Sequence, residues 1–391
     1  MSLTWKDSNV SEPAGFDRII GNALARRILG KAARGQCPAH SYLFIGSEGV
    51  GKLTTAIQFA KALNCQEPID SGACEVCATC RRIEHQTTTD LVVYAPEKNK
   101  TVISIEQMQR MREFSQLRPT TMRWKVMILE RADALGDEAA NCILKLLEDA
   151  PEYLVVIQAI TNPASVLATI RSRSQVVRFY PPCYDELSER LADCYGVEPE
   201  KARFLSRFAL GCPGKAVTYS SDESFLEDRD EIIEFSGQLL GADRWALLAT
   251  AASLRTSGSG KSTGAQEDIG AEDADSESDA DNDAGEGQSP AETRKSAGRS
   301  QRETAMHRLA LTISWFRDLL AVRIGGDNAT LINLDRRDQA ATQSAMARSA
   351  ESLLRALDVL VSARSAIASN ANSQIVTESL VLQLASIVRQ N

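Results

Sequence analysis

The chain has 391 residues, 43% hydrophobic and 25% charged, which predicts two or three domains, each able to bury a core. No apolar run approaches the ~18 residues of a membrane span, and the opening MSLTWKDSNV lacks the basic flank and apolar centre of a signal peptide, so a cytoplasmic chain with no membrane contact is expected. The formal charge of −8 is uneven: Gln266–Glu292 holds eleven Asp or Glu and no Lys or Arg, and the remainder is mildly positive, so a polyanionic partner is not excluded.

To about Pro182, short β-rich runs alternate with helix-period stretches, the pattern of a parallel sheet with crossover helices. Strands are expected at Tyr42–Ile45, Leu91–Tyr94, Lys125–Leu129, Leu154–Ala159 and Gln175–Phe179, with helices at Ile105–Ser115 and Asp137–Asp149. From Tyr184 the reading is helical only: Asp185–Tyr195, Pro199–Ala209, Lys215–Ser220, and Ser224–Leu254 broken near Gly241. Thr256–Ser300 is rich in Ser, Gly, Ala and acids, has almost no large apolar residues, and is expected to be disordered. Helices resume over Arg302–Ile324, Ala340–Ser369 and Gln374–Arg389. The acidic tract thus reads as a long loop inserted in a helical domain.

The strand at Tyr42–Ile45 runs into Gly46-Ser47-Glu48-Gly49-Val50-Gly51-Lys52-Leu53 and then a helical pattern, the context of a G-x-x-x-x-G-K phosphate loop. Glycines let backbone N–H groups wrap a phosphate, and Lys52 is placed to reach its outer oxygens. The motif calls for Ser or Thr at position 53 to ligate magnesium, and Leu53 cannot; Thr54 lies about 100° further round the helix and substitutes poorly. The strand Lys125–Leu129 ends in Glu130-Arg131-Ala132-Asp133, where a working ATPase carries one acid near magnesium and a second that activates water; Arg131 cannot be that base. Gly46, Gly49, Gly51, Lys52 and Thr54 are the candidate cofactor-binding residues. ATP or ADP as the ligand is left open.

Cys65, Cys74, Cys77 and Cys80 bring four thiolates within sixteen residues, with the C-x-x-C spacing of a closed tetrahedral Zn²⁺ site. Such a site has no open position, so the metal is expected to be structural. Cys37, Cys142, Cys183, Cys194 and Cys212 are read as small packing residues.

Several of these segments together resemble a known family. They are Phe16-Asp17-Arg18-Ile19-Ile20-Gly21, His40-Ser41-Tyr42-Leu43-Phe44, the four cysteines, Ala139-Ala140-Asn141-Cys142-Ile143-Leu144-Lys145-Leu146-Leu147-Glu148 and Thr169-Ile170-Arg171-Ser172-Arg173-Ser174. The stretch Phe16–Pro182 resembles the AAA+ domain of bacterial DNA polymerase III clamp-loader subunits, most closely those of the delta-prime type. The resemblance implies an α/β AAA+ P-loop domain over 1–182 with a zinc module at 65–80. A helical lid would follow over 183–240, and an all-α collar over 241–391 carrying the acidic insertion at about 256–300.

Ser172-Arg173-Ser174 is similar to the family's Ser-Arg-Cys signature, which implies that Arg173 acts in trans as an arginine finger on a neighbour's ATP. Thr161 matches the polar sensor position. Gly214 holds the place of a lid sensor arginine, unless a one-residue shift promotes Lys215. Partners implied are the delta and gamma/tau subunits, a sliding clamp, and primed DNA through the assembly. Arg110, Arg112, Arg118 and Arg123 are candidates for touching its backbone. The damaged positions 53 and 131 suit a non-hydrolysing stator within the polymerase holoenzyme; the alternative is an active gamma/tau-type motor or another AAA+ remodelling ATPase.

Overall fold

The computed structural model describes residues 13–95, 105–222, 224–241, 290–369 and 371–389. The chain divides into two compact units, to Asp222 and from Glu223. In the first, five parallel strands β1 (Ser41–Ile45), β2 (Leu91–Tyr94), β3 (Lys125–Leu129), β4 (Leu154–Ile160) and β5 (Gln175–Arg178) form one sheet in the order β2-β3-β4-β1-β5. Its helices are α1 (Ala23–Arg34), α2 (Lys52–Asn64), α3 (Ala78–Glu84), α4 (Ile105–Gln116), α5 (Asp137–Glu148), α6 (Ala168–Ser172), α7 (Tyr184–Tyr195), α8 (Pro199–Phe208) and α9 (Pro213–Ser220).

The central strands β3, β4 and β1 are buried on both faces because helices cover both, whereas the edge strands β2 and β5 are partly exposed. Leu43, Ile45, Met127, Leu129, Leu154 and Val156 face α4 and α5, meeting Met108, Met111, Phe114 and Ile143. The alternate residues Tyr42, Phe44, Val126, Ile128, Val155 and Ile157 face α1 and α2, meeting Leu29, Ala56 and Phe59. With a side-chain period of two, a one-residue slip of any strand would exchange these faces, so the register is firmly specified. β1 sits between β4 and β5 in register Ser41↔Val156 and Tyr42↔Gln175. Every strand therefore delivers its following loop to the same edge of the sheet.

The second unit holds α10 (Ser224–Gly241), α11 (Pro290–Gly325), α12 (Arg337–Met346), α13 (Ala350–Ala368) and α14 (Ser373–Arg389) around Trp315, Phe316, Leu319, Leu353 and Leu360. Polar groups in this core are paired. Trp315 Nε1 donates to Gln343 Oε1 at 2.9 Å, and buried Asp318 accepts from the backbone N–H of Ile332 and Asn333 at 3.0 and 2.7 Å. No helix among the described residues is long and apolar enough to cross a membrane.

Several sequence readings shift. The single helix expected over Ala340–Ser369 is two, because Ser349 caps a new start by accepting from the Ser352 N–H at 3.1 Å. The expected disorder over 256–300 lies outside the described residues as far as 289. From Pro290, however, the chain is helical: proline suits the first turn, and Ala291, Glu292, Arg294 and Lys295 are good helix formers. The expected extension of α10 to Leu254 also lies outside the described residues. Cys37 and Cys183 are exposed rather than packed, because they sit in the loop before β1 and the loop before α7.

Asp90, fully buried ahead of β2, shapes the turn before β3. Its carboxylate accepts from the backbone N–H groups of Thr120, Thr121 and Met122 at 2.8, 2.8 and 3.1 Å. Burial works against its charge, but these N–H groups prevail and hold the carboxyl below the usual aspartate range. The stabilisation is present above the unfolded value of about 4 and is lost as pH falls through the lower folded value. Asp90→Asn is expected to lower stability at pH 7 by ~1–3 kcal/mol in denaturant melts, with the gap to the parent narrowing below about pH 4. Equal pH profiles for the two proteins would contradict this account.

Candidate nucleotide loop, cysteine site and edge arginine

The phosphate loop leaves the C-terminal end of β1 and closes on α2. Gly49 and Gly51 adopt φ of 79° and 96°, the left-handed region that glycine enters without strain, so the chain wraps tightly into the helix. Lys52 folds back over the loop: its Nζ donates to the carbonyls of Gly46 at 2.5 Å and Ser47 at 2.8 Å. Burial lowers the pKa of this ammonium, while Asp133, Glu48, Cys212 and Glu130 oppose the shift from nearby. The helix α9 seats directly on the loop. The Gly214 N–H donates to the Gly49 carbonyl at 2.8 Å, and the Lys215 Cγ lies 3.0 Å from where a Gly49 Cβ would stand.

Position 53 itself offers no hydroxyl. Leu53 packs against the apolar cluster between α2 and the sheet, and Thr54 is exposed. Thr55, fully buried, spends its Oγ1 on the Gly51 carbonyl at 2.7 Å. Past β3, Arg131 is exposed in a left-handed conformation at φ 57°. Asp133 Oδ2 accepts from the backbone N–H groups of Thr161 and Asn162 at 3.0 and 3.3 Å. Asp133 therefore anchors the turn carrying the sensor candidate Thr161 beside the loop, a role that a sequence gives no sign of.

The four cysteine sulfurs all lie within 4.8 Å of one another, and Cys65 and Cys77 Sγ are 4.0 Å apart. A tetrahedral zinc with ~2.3 Å bonds needs sulfurs about 3.8 Å apart, so the donor set fits that ion in number, chemistry and spacing. The N–H groups of Cys74, Cys77 and Cys80 point at the sulfurs of Cys65, Cys74 and Cys77 at 3.3–3.5 Å, favouring thiolates. For Cys77, burial alone would raise the pKa, but hydrogen bonds from backbone N–H groups, Cys80's first, bring it down to about 6. Burial pushes Cys65 and Cys80 up.

Arg173 lies at the other end of the sheet. Its neighbour Ser174 bonds Ser41 Oγ at 2.8 Å, at the start of β1, and Gln158 Nε2 reaches both hydroxyls at 3.3 and 3.4 Å. The phosphate loop begins after Ile45, so β1 alone separates Arg173's anchor from that loop by roughly 16 Å. The guanidinium is 40% exposed and pairs with Glu148 Oε1 at 2.9 Å. Such a solvated pair contributes little, ~0–1 kcal/mol, so the arginine is readily released to another anion. Arg110, Arg112, Arg118 and Arg123 are exposed on α4 and the turn after it; Arg110 pairs with Glu106, and Arg123 donates to Gln36.

One cluster escaped sequence reading. Lys61 on α2 is fully buried, and its ammonium donates to Glu75 Oε2 at 2.5 Å and to Glu84 Oε2. Glu75 stands between two of the cysteines, and Glu84 ends α3. Glu75 also accepts from the Gly15 N–H at 3.3 Å and from Arg18 at 3.4 Å. The visible signal was a lysine inside the apolar run Ala60–Leu63, with an acid inside the cysteine loop. Replacing both Glu75 and Glu84 by Gln strands a buried charge and is expected to cost ~3–5 kcal/mol in denaturant unfolding, and Lys61→Met clearly less. A loss below about 0.5 kcal/mol from the double substitution would rule out this role.

A family model described as DNA polymerase III, delta subunit, matches residues 21–182. The DNA polymerase III subunit delta' of Bacillus subtilis (strain 168) is 30% identical over 236 residues, covering 60% of this chain and 67% of that protein. The DNA polymerase III subunit tau of the same organism is 30% identical over 249 residues, covering 62% of this chain and 42% of tau, so the chain spans less than half of that relative. A solved DNA polymerase III gamma subunit-related protein from Thermotoga maritima superposes with a TM-score of 0.40 at 15% identity, over 92% of this chain and 99% of that one. On the delta' match, which extends over two thirds of that relative, the chain belongs to the AAA+ family of DNA polymerase III clamp-loader subunits.

Proposed function

We propose that this protein is the delta-prime-type stator of a clamp loader: a subunit that does not turn over ATP itself and donates Arg173 to the ATP site of a neighbouring motor. The observation that carries this reading is the placement of Arg173 at the sheet edge opposite its own phosphate loop, half-exposed and tethered by a weak ion pair. An arginine so placed cannot serve its own loop. In a neighbour's site it would stabilise the charge that develops on the transferred phosphoryl group. Leu53 and Arg131 support the other half of the reading, since the first brings no oxygen to magnesium and the second no base to water.

In this reading the AAA+ domain runs to Pro182, a helical lid occupies 183–240, and a helical collar over 241–391 holds the subunit beside delta and gamma/tau subunits. The assembly would open a sliding clamp and close it on primed DNA. The cysteine site would hold one structural Zn²⁺ on Cys65, Cys74, Cys77 and Cys80. Its bound metal would stabilise the loop that brings Glu75 to Lys61.

In a loader reconstituted with the other subunits, Arg173→Ala is expected to assemble normally and to reduce DNA-stimulated hydrolysis at the adjacent site by on the order of 10²-fold or more. An unchanged rate, or brisk ATP turnover by the purified chain alone that Lys52→Ala abolishes, would overturn the stator reading. Elemental analysis of the chain should find about one zinc per molecule, and chelation should lower its melting temperature, because metal binding and folding are linked. A metal-free chain of equal stability would refute the zinc assignment.

A further inference from the structure

We propose that Gln158 and Ser41 are positioning residues for Arg173. With Ser174 they form a hydrogen-bonded chain that fixes the turn from which the guanidinium projects. The inference rests on the stator reading, which gives a role to Arg173 but to none of these three.

The guanidinium's own contacts are weak guides to its direction. Its pair with Glu148 at 2.9 Å is solvated, and its Nη1 donates to the exposed Thr169 carbonyl at 3.3 Å. Both contacts must yield when a neighbour's anion arrives. The aim of the side chain then depends on the backbone that carries it. That backbone closes α6, which spans five residues and is too short to hold a helical turn by itself. The turn has to be fixed from outside.

The fixing comes through one acceptor. The carbonyl of buried Ile170 receives the Arg173 N–H at 3.2 Å and the Ser174 hydroxyl at 2.9 Å. A carbonyl can only accept, so Ser174 spends its proton there. The proton in the 2.8 Å bond between Ser41 and Ser174 must therefore come from Ser41. Gln158 Nε2 in turn donates to Ser41 Oγ at 3.3 Å and reaches Ser174 Oγ at 3.4 Å. Every proton runs one way, from Gln158 on the central strand β4, through Ser41 at the start of β1, to the last turn of α6. Ser41 and Gln158 are 0% and 1% exposed, so water does not compete for their links.

Packing alone does not call for such a chain. A methionine would fill the place of Gln158 and leave no orphaned polar atom, whereas Gln158 Oε1 is buried with no partner among the described residues. That orphan is destabilising, so the amide needs an explanation other than stability. Hydrogen bonds are directional and fix an angle that apolar contacts leave loose. An arginine working across an interface depends on that angle, because a misplacement of about 1 Å can cost on the order of 10²-fold in rate.

The test is steady-state ATP hydrolysis by a loader reconstituted with the other subunits and primed DNA, with rates referred to assembled complex isolated by gel filtration. Gln158→Met keeps the side chain's length and removes its amide. It is expected to lower kcat at the adjacent site roughly three- to thirtyfold, with KM for ATP unchanged within about twofold. Ser41→Ala, which removes a single oxygen, is the second variant and should do the same. In an Arg173→Ala background neither substitution should lower the rate further, a non-additivity that a general loss of stability would not produce. Parent kcat in both variants beside a depressed rate in Arg173→Ala would overturn this inference alone. Losses that persist in the Arg173→Ala background would place the effect elsewhere and overturn it as well. An unchanged rate in Arg173→Ala would sink the stator reading, and this inference with it.

Discussion

The parallel register of β1 between β4 and β5 is the constraint on which the rest depends. Because every strand runs the same way, all following loops collect at one edge of the sheet, and all preceding turns at the other. The phosphate loop follows β1 and the Asp133 anchor follows β3, so they meet at one edge. Ser41 opens β1 and Ser174 precedes β5, so Arg173 is fixed at the opposite edge. A single subunit therefore has two chemically distinct ends, one carrying the glycine loop with Lys52 and the other carrying Arg173, and it cannot bring the two together.

The buried Lys61 gives the cysteine loop a second meaning. An ammonium withdrawn from water is tolerated only with its partners in place. Both partners come from the segment that the four sulfurs organise, and Arg18 and the Gly15 N–H join the same carboxylate. The helix that begins at the phosphate loop thus ends against the cysteine module through a charge that has no alternative partner in solvent. Order in the module and order in α2 are energetically linked through this buried ion pair.

What the sequence made legible follows from how local each signal is. The five strands, the phosphate loop and the four cysteines are written in contiguous patterns, and each appears where expected, within a residue or two at its ends. The break at Ala347–Ser349 was missed because a serine cap interrupts an apolar period without disturbing it. The helical start at Pro290 was missed because composition averaged over 256–300 hid a good helix-forming stretch at its end. The pairings of Lys61, Asp90 and Asp133 were not legible for a different reason. Their partners lie far along the chain, and only the fold shows that these charged residues are buried or pointed at backbone N–H groups.

The phosphate loop itself shows why a motif must be argued atom by atom. Its glycines have structural work independent of any ligand: Gly51 turns the chain into α2, and Gly49, lacking a side chain, accepts both the Gly214 N–H and the stem of Lys215. Lys52 likewise holds the loop's shape by capping two of its carbonyls. A chain that abandoned hydrolysis could keep all of these residues for the sake of the turn and the helix seated on it. Hydrolysis has a narrower signature, a hydroxyl for the metal and an acid for the water, and at positions 53 and 131 both are replaced by groups that cannot do either. The loop's shape therefore follows from the architecture, whereas a hydrolytic role would turn on the side chains at positions 53 and 131.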